Sequence, residues 1–216
     1  MTINKMKILS EEQIQENLQK FYELIEKYIS SPRKEALIEF YKRIEITLAT
    51  SPASSRLSNH NCFAGGYVDH VIRVTEGALI LDKVWDRFQQ KKDYTLEELV
   101  FCAINHDLGK LGTDDQPFYV PNDETWQIEK QGTMYKYNKS MVHMRIADRS
   151  LFALQSAGIS VNETEYLTIK LHDGLYEEAN KPYYMTYNSD FEIKSNLPYI
   201  LHQADLMASR VEKQIN

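Results

Sequence analysis

The sequence has few of the features that mark secreted, membrane-spanning or disulfide-stabilised proteins. Only two of its 216 residues are cysteine, Cys62 and Cys102, and neither belongs to a CxxC pair. No apolar run approaches the roughly 20 residues of a membrane-spanning helix, and no apolar signal core follows the N-terminal lysines. These absences favour a cytoplasmic protein without disulfides, in which both thiols lie in or near the core.

An excess of positive charge is also missing. Lys and Arg number 25 against 31 Asp and Glu, which gives a formal net charge of −6. Proteins that bind nucleic acid mainly through its phosphates are usually basic, so a nucleic acid is not the favoured partner. An acidic protein that acts on a small phosphorylated molecule needs local positive charge, and bound metal ions can supply it.

Helical patterns fill most of the chain, and no internal repeat or linker interrupts them. Apolar spacing and capping boxes predict helices over residues 10–29, 32–50, 67–90, 95–106, 140–157, 162–172 and 197–214. Residues 126–129 and 134–137 predict a small hairpin with a turn at 131–133, and residues 175–196 a tyrosine-rich loop. The prediction is an all-α bundle with a small β-hairpin insertion, in which a helical extension (1–50) packs on a core domain (51–216).

The most informative stretch is residues 100–110, where an apolar helical run ends in the pair His106-Asp107. Both residue types bind metals, and at the end of a helix two neighbours can face one ion, which they cannot do mid-helix. Gly109 allows the backbone to turn after the pair. Lys110 is then placed to meet an anion held by the metal.

Other histidines and one acid stand on neighbouring predicted helices. His70 lies on an apolar helix face, and His143 and His172 belong to the two helices after His106. Asp205 lies among Ala, Leu and Met in the last helix, where a carboxylate is costly to bury unless it is paired or bound to a cation. Helical bundles build metal sites from such inward side chains on facing helices.

Four segments in this order resemble the HD-domain superfamily of metal-dependent phosphohydrolases. They are Gly65-Gly66-Tyr-Val-Asp69-His70, His106-Asp107-Leu-Gly109-Lys110, Leu171-His172-Asp173-Gly174 and Leu201-His202-Gln-Ala-Asp205. The resemblance covers roughly residues 55–212, and in the third segment Asp173 stands where the family pattern has a second histidine. The first segment is similar to one in the HD modules of bacterial 3′-5′ exoribonucleases.

The resemblance implies six metal ligands: His70, His106, Asp107, His143, His172 and Asp205. By this resemblance, His70, His106, Asp107 and Asp205 hold one ion. In two-metal members the residue that corresponds to Asp107 also binds a second ion, and His143 and His172 fit the other ligands of that ion. One or two ions are therefore expected. Mixed imidazole and carboxylate ligands suit Mn²⁺, Fe²⁺, Co²⁺, Ni²⁺ or Zn²⁺ better than Mg²⁺.

The predicted function is that of a hydrolase that cleaves a phosphate ester of a nucleotide with metal-activated water. Asp107 and Lys110 are the candidate catalytic residues, and Arg73 and Arg145 are candidates for binding a substrate phosphate. One alternative is a phosphodiesterase that acts on cyclic dinucleotides or on 3′ ends of nucleic acid. Another is a non-catalytic HD module that binds a nucleotide. The sequence is also compatible with a homo-oligomer.

The two remaining histidines have weaker predictions. His202 lies three residues before Asp205 on one helix face, so it either supports a ligand or packs in the interior. His60 lies in a polar loop and is predicted to be an ordinary surface residue.

Overall fold

The computed structural model describes residues 7–215, so the predictions for residues 1–6 and 216 lie outside the described residues. The described chain is all-α with a small β insertion, as predicted. Its helices are α1 (Glu11–Tyr28), α2 (Arg33–Arg43), α3 (Glu45–Thr50), α4 (Gly66–Arg87), α5 (Leu96–Asn105), α6 (Thr125–Gln131), α7 (Ile146–Ser156), α8 (Glu163–Leu171), α9 (Lys181–Tyr184) and α10 (Leu197–Ile215). The strands are β1 (Tyr119–Pro121) and β2 (Tyr135–Tyr137). Within residues 7–215, no helix has both the length and the apolar character to cross a membrane.

Three helices begin at the capping boxes that the sequence predicts. Ser10, Thr95 and Asn162 each accept the backbone N–H three residues later, and that residue's side chain accepts the N–H of the cap. Each pair satisfies two backbone donors that a helix start otherwise leaves free, so these helix starts are fixed locally.

Two predicted helices have different bounds in the structure. The helix predicted over residues 32–50 is broken at Ile44, where α2 ends and α3 begins. The helix predicted over residues 140–157 begins only at Ile146. The Asn138 side chain accepts the N–H of Ser140, and the Asn138 N–H binds the carbonyl of Phe118. This turn holds residues 138–140 against the β insertion, so α7 begins later in the chain than predicted.

The hairpin prediction was wrong about one strand and right about the other. Residues 126–129 belong to α6, and β2 pairs antiparallel with β1, with Tyr119 opposite Tyr137. A four-residue alternation fits a short helix as well as a strand, so the pattern alone did not discriminate. Gly132, with φ of 63°, ends α6 and returns the chain to β2.

One hydrophobic core joins α1–α3 to the helices that follow. Helix α5 lies at its centre, and every residue from 99 to 105 is buried. A helical segment that is buried all round needs an apolar sequence on every face, which residues 99–104 have. Helices α4, α8 and α10 pack around α5, so side chains at one end of the bundle are brought together.

Candidate metal centre

Five of the six predicted metal ligands meet at one end of the bundle. His70 Nε2 lies 3.2 Å from Asp205 Oδ1 and 3.6 Å from Asp107 Oδ2. The Nε2 atoms of His106 and His172 lie 3.4 and 3.5 Å from the Asp107 carboxylate. Two ligand atoms that are each about 2.1 Å from one ion lie about 3.0–3.4 Å apart. The spacing of this ligand cluster therefore suits a shared cation with small adjustments.

The end of α5 places the central pair. His106 is the last residue with helical angles, and Asp107 has φ of −104° and ψ of 10°, so both side chains face the same side, as predicted. Gly109 has a different role from the predicted turn. A Cβ there would lie 2.3 Å from the Ile146 carbonyl oxygen, so the absence of a side chain lets this segment pack directly on α7.

Each clustered imidazole is oriented by a hydrogen bond at Nδ1. His106 and His172 donate from Nδ1 to carbonyls three residues back, at 2.8 Å each, and His70 Nδ1 faces the buried Glu212 carboxylate at 3.0 Å. In the neutral imidazoles that metal binding requires, these partners hold the proton on Nδ1 and direct the Nε2 lone pair into the cluster.

Two of these Nε2 atoms are buried without a hydrogen-bond partner. Carboxylate oxygens lie 3.2–3.6 Å from Nε2 of His70 and of His106, but no group among the described residues completes a hydrogen bond with either atom. Buried polar atoms are nearly always satisfied, and metal ligation is one of the functions that explain an exception. The donor set therefore fits a divalent metal ion.

The charges of the cluster favour a cation. Burial alone lowers the pKa of His70, but the carboxylates of Glu212 and Asp205 outweigh it and raise that pKa to about 10. Burial raises the pKa of Asp107, but Lys110, whose Nζ lies 2.5 Å from Oδ2, and the neighbouring imidazoles bring it well below its usual range. Because a histidine binds a metal as the neutral imidazole, a bound cation would take the place of the His70 proton between these ionised carboxylates.

The two oxygens of Asp107 face different histidines. Oδ2 is directed toward His70 and His106, and Oδ1 toward His172. Asp173, the residue that departs from the family pattern, has an oxygen 3.6 Å from His172 Nε2. This arrangement offers ligands for one ion on each side of Asp107.

A cavity of about 300 Å³ opens over the ligand cluster. Lys110 lines it beside Asp107, and the exposed side chains of Arg210 and Lys213 lie at its mouth. Arg210 donates a 3.3 Å hydrogen bond to the Tyr176 hydroxyl, which connects α10 to the loop after α8. The cavity therefore combines a floor of candidate metal ligands with three cationic side chains.

The other predicted site residues lie outside this cavity. His143 is exposed in the loop before α7, since that helix begins later than predicted, and Arg145 in the same loop pairs with Glu177. Arg73 lies behind His70, where its Nε is 3.2 Å from Glu212 Oε1. The structure therefore gives His143 no place in the ligand cluster and neither arginine a place in the cavity.

The prediction for His60 was wrong. Its ring lies 4.6 Å from the ring of His70, and it lines the cavity with a buried Nε2 that has no hydrogen-bond partner among the described residues. The Ser54 hydroxyl donates to the His60 carbonyl at 2.6 Å and folds the loop inward. Sequence spacing gives no signal for this long-range placement.

Glu212 was missed although the sequence contains a signal for it. It is fully buried and lies seven residues after Asp205, two turns further along the same face of α10. An acid at this spacing on an inward face has the same cost of burial as Asp205. His202 on the same helix supports the cluster less directly, by donating from Nδ1 to the His172 carbonyl at 2.8 Å.

Comparison of the chain with protein-family models, with curated proteins and with solved structures gives no match. The resemblance to the HD superfamily therefore stays a prediction from four sequence segments. The functional interpretation depends on the geometry of the ligand cluster and its cavity.

Proposed function

We propose that the chain is a metal-dependent phosphohydrolase that cleaves a phosphate ester of a nucleotide. One observation carries the proposal: two buried imidazole nitrogens without hydrogen-bond partners among the described residues face carboxylates at the floor of an open cavity. A structural ion pair would need no cavity, and a closed structural metal site would not be open to solvent.

His70, His106 and Asp205, with the Asp107 carboxylate beside both imidazoles, would hold one ion, and His172, Asp173 and Asp205 would offer ligands for a second. When bound, a divalent cation supplies activation of water for attack and neutralisation of charge on the phosphoryl oxygens. The three imidazole nitrogens favour Mn²⁺, Fe²⁺, Co²⁺, Ni²⁺ or Zn²⁺ over Mg²⁺.

Residues of the chain itself would position the substrate. Lys110 is held against Asp107, so its ammonium is a fixed point charge at the floor for a phosphoryl oxygen. Arg210 and Lys213 supply charge at the mouth for a further part of the phosphate ester. A volume of about 300 Å³ is at the lower end of the range for small-molecule sites, which favours a small substrate.

A substrate panel tests the proposal. Nucleoside mono- and triphosphates, cyclic dinucleotides and short oligonucleotides are incubated with the protein and Mn²⁺, and released products are separated by chromatography. We expect one class to be hydrolysed at a rate at least about tenfold above that of an Asp107→Asn variant. If the protein binds Mn²⁺ but hydrolyses none of these classes, the proposed nucleotide hydrolysis is refuted and the non-catalytic binding module is favoured.

Neutralising Glu212 should weaken metal binding. The Glu212→Gln change keeps the volume but removes the charge that makes His70 a stronger ligand, so we expect about tenfold lower metal affinity. Competition with a coloured chelator measures it. Glu76→Gln, at an exposed position on the same helix as His70, is the matched control. Equal affinities for both variants would exclude a supporting role for Glu212.

A further inference from the structure

A second cavity of about 440 Å³ lies beside the two-stranded sheet, between the sheet and the loop before α7. Its lining combines aromatic and cationic side chains: Phe118, Tyr119, Tyr137, Lys139, Arg145 and Arg149. None of the described residues that line it is acidic, although the chain carries a net charge of −6. Arg145 is paired with Glu177, so Lys139 and Arg149 give the cavity its local positive charge on an acidic protein.

Within residues 7–215, the guanidinium of Arg149 forms no ion pair with a carboxylate. The residue is only 4% exposed. Its Nη2 donates to the Val142 carbonyl at 2.6 Å, whereas Nε is buried without a partner. Burial of an unpaired cation is costly unless an anion reaches it. Arg149 borders the cavity, where an anion would have access to its guanidinium.

The aromatic residues form a stacking surface. The ring centroid of Tyr137 lies 5.1 Å from that of Phe118 and 5.8 Å from that of Tyr119, with the two tyrosine rings within 30° of parallel. Tyr137 is 59% exposed, so its ring is accessible to a planar ligand. Aromatic faces next to cations are the means by which proteins hold nucleobases with their phosphates.

We infer that this cavity binds a nucleotide unit of the substrate, with the base on the aromatic surface and the phosphate at Arg149 and Lys139. The identity of the ligand rests on the proposed function. The cavity is also a neighbour of the one over the ligand cluster. Ile146 lines both, and Tyr119 lies within electrostatic range of Lys110. A substrate with its scissile phosphate at the ligand cluster would extend past Ile146 into this cavity.

Adenosine 5′-monophosphate in EDTA is the probe, and isothermal titration calorimetry measures its affinity for the full chain. We expect Tyr137→Ala and Lys139→Ala each to weaken binding by about fivefold or more, because each removes a direct contact with the ligand. Both positions are exposed, so both variants should keep the far-UV circular dichroism of the parent.

Lys136→Ala is the matched control for charge. Lys136 precedes Tyr137 on the same strand, lies outside the cavity and pairs with Asp123, so its loss should change the affinity by less than about twofold. Tyr187→Ala, at a fully exposed tyrosine outside the cavity, is the aromatic control.

Inorganic phosphate is the second probe. It should bind more weakly than the nucleotide and should respond to Lys139→Ala but not to Tyr137→Ala. Unchanged nucleotide affinity in both cavity variants would overturn the inference, and so would phosphate binding as tight as nucleotide binding. Because no turnover or metal is involved, either result leaves the test of hydrolysis independent.

Discussion

Asp107→Asn is expected to abolish hydrolysis, with a loss of at least about 1000-fold in kcat/KM. The two oxygens of Asp107 face the Nε2 atoms of three histidines, and Lys110 lies against one of them. Asparagine keeps the shape but offers one neutral oxygen and an NH₂ group, which cannot bind a metal and would point a donor at a ligand position. Turnover of the substrate found by the panel measures the loss.

Asp115→Asn is the control for this change. Asp115 is exposed, lies eight residues further along the chain and forms no ion pair within the described residues, so its loss should leave turnover unchanged. Circular dichroism should show that both variants keep their helices. An Asp107→Asn protein with activity within tenfold of the parent would remove Asp107 from the chemistry and, with it, the shared-cation interpretation of the cluster.

Removal of metal is expected to have the second large effect. The purified chain should contain a transition metal by elemental analysis, and dialysis against EDTA should abolish turnover, which Mn²⁺ or Co²⁺ then restores. Turnover should be lost because the proposed mechanism takes from the ion both the activation of water and the neutralisation of phosphoryl charge. A protein shown to be metal-free that keeps full activity would refute the proposed function.

Metal binding should also increase the free energy of unfolding. An ion present at 100 times its Kd adds about 2.7 kcal/mol to the free energy of unfolding, so added Mn²⁺ should raise the melting temperature of the parent. The Asp107→Asn variant should show little of this increase because its ligand cluster is incomplete. Differential scanning calorimetry in EDTA and in excess Mn²⁺ compares the two. An equal increase in both proteins would mean that the ion binds elsewhere.

The parts of the site that local patterns determine could be predicted from the sequence. His106 and Asp107 follow an apolar helical run, and the end of that helix determines where both point. Asp205 stood out because a carboxylate among apolar residues needs a cation or a partner. Such features depend on a few neighbouring residues, so the apolar spacing of a helix is enough to predict them.

The parts that depend on loops could not be predicted. His143 was assigned to a helix that begins three residues after it, and a difference of this size at a helix start redirects a side chain completely. His60 reaches the ligand cluster through a loop that backbone hydrogen bonds at Ser55 and Leu57 tie to residues 132–134. Arg210 and Lys213 resemble any solvated cations on an exposed helix face, so only their position at the cavity mouth distinguishes them.

The complete burial of the last two turns of α5 divides the chain into parts that differ in how freely they can be redesigned. Its residues 99–105 contact protein on every side, so almost any exchange there creates a void or an overlap near His106. The cavity mouth, with Asn59, Tyr176 and Arg210, has no such constraint. A mutant library intended to alter substrate choice should therefore vary these rim positions and leave the central helix as it is.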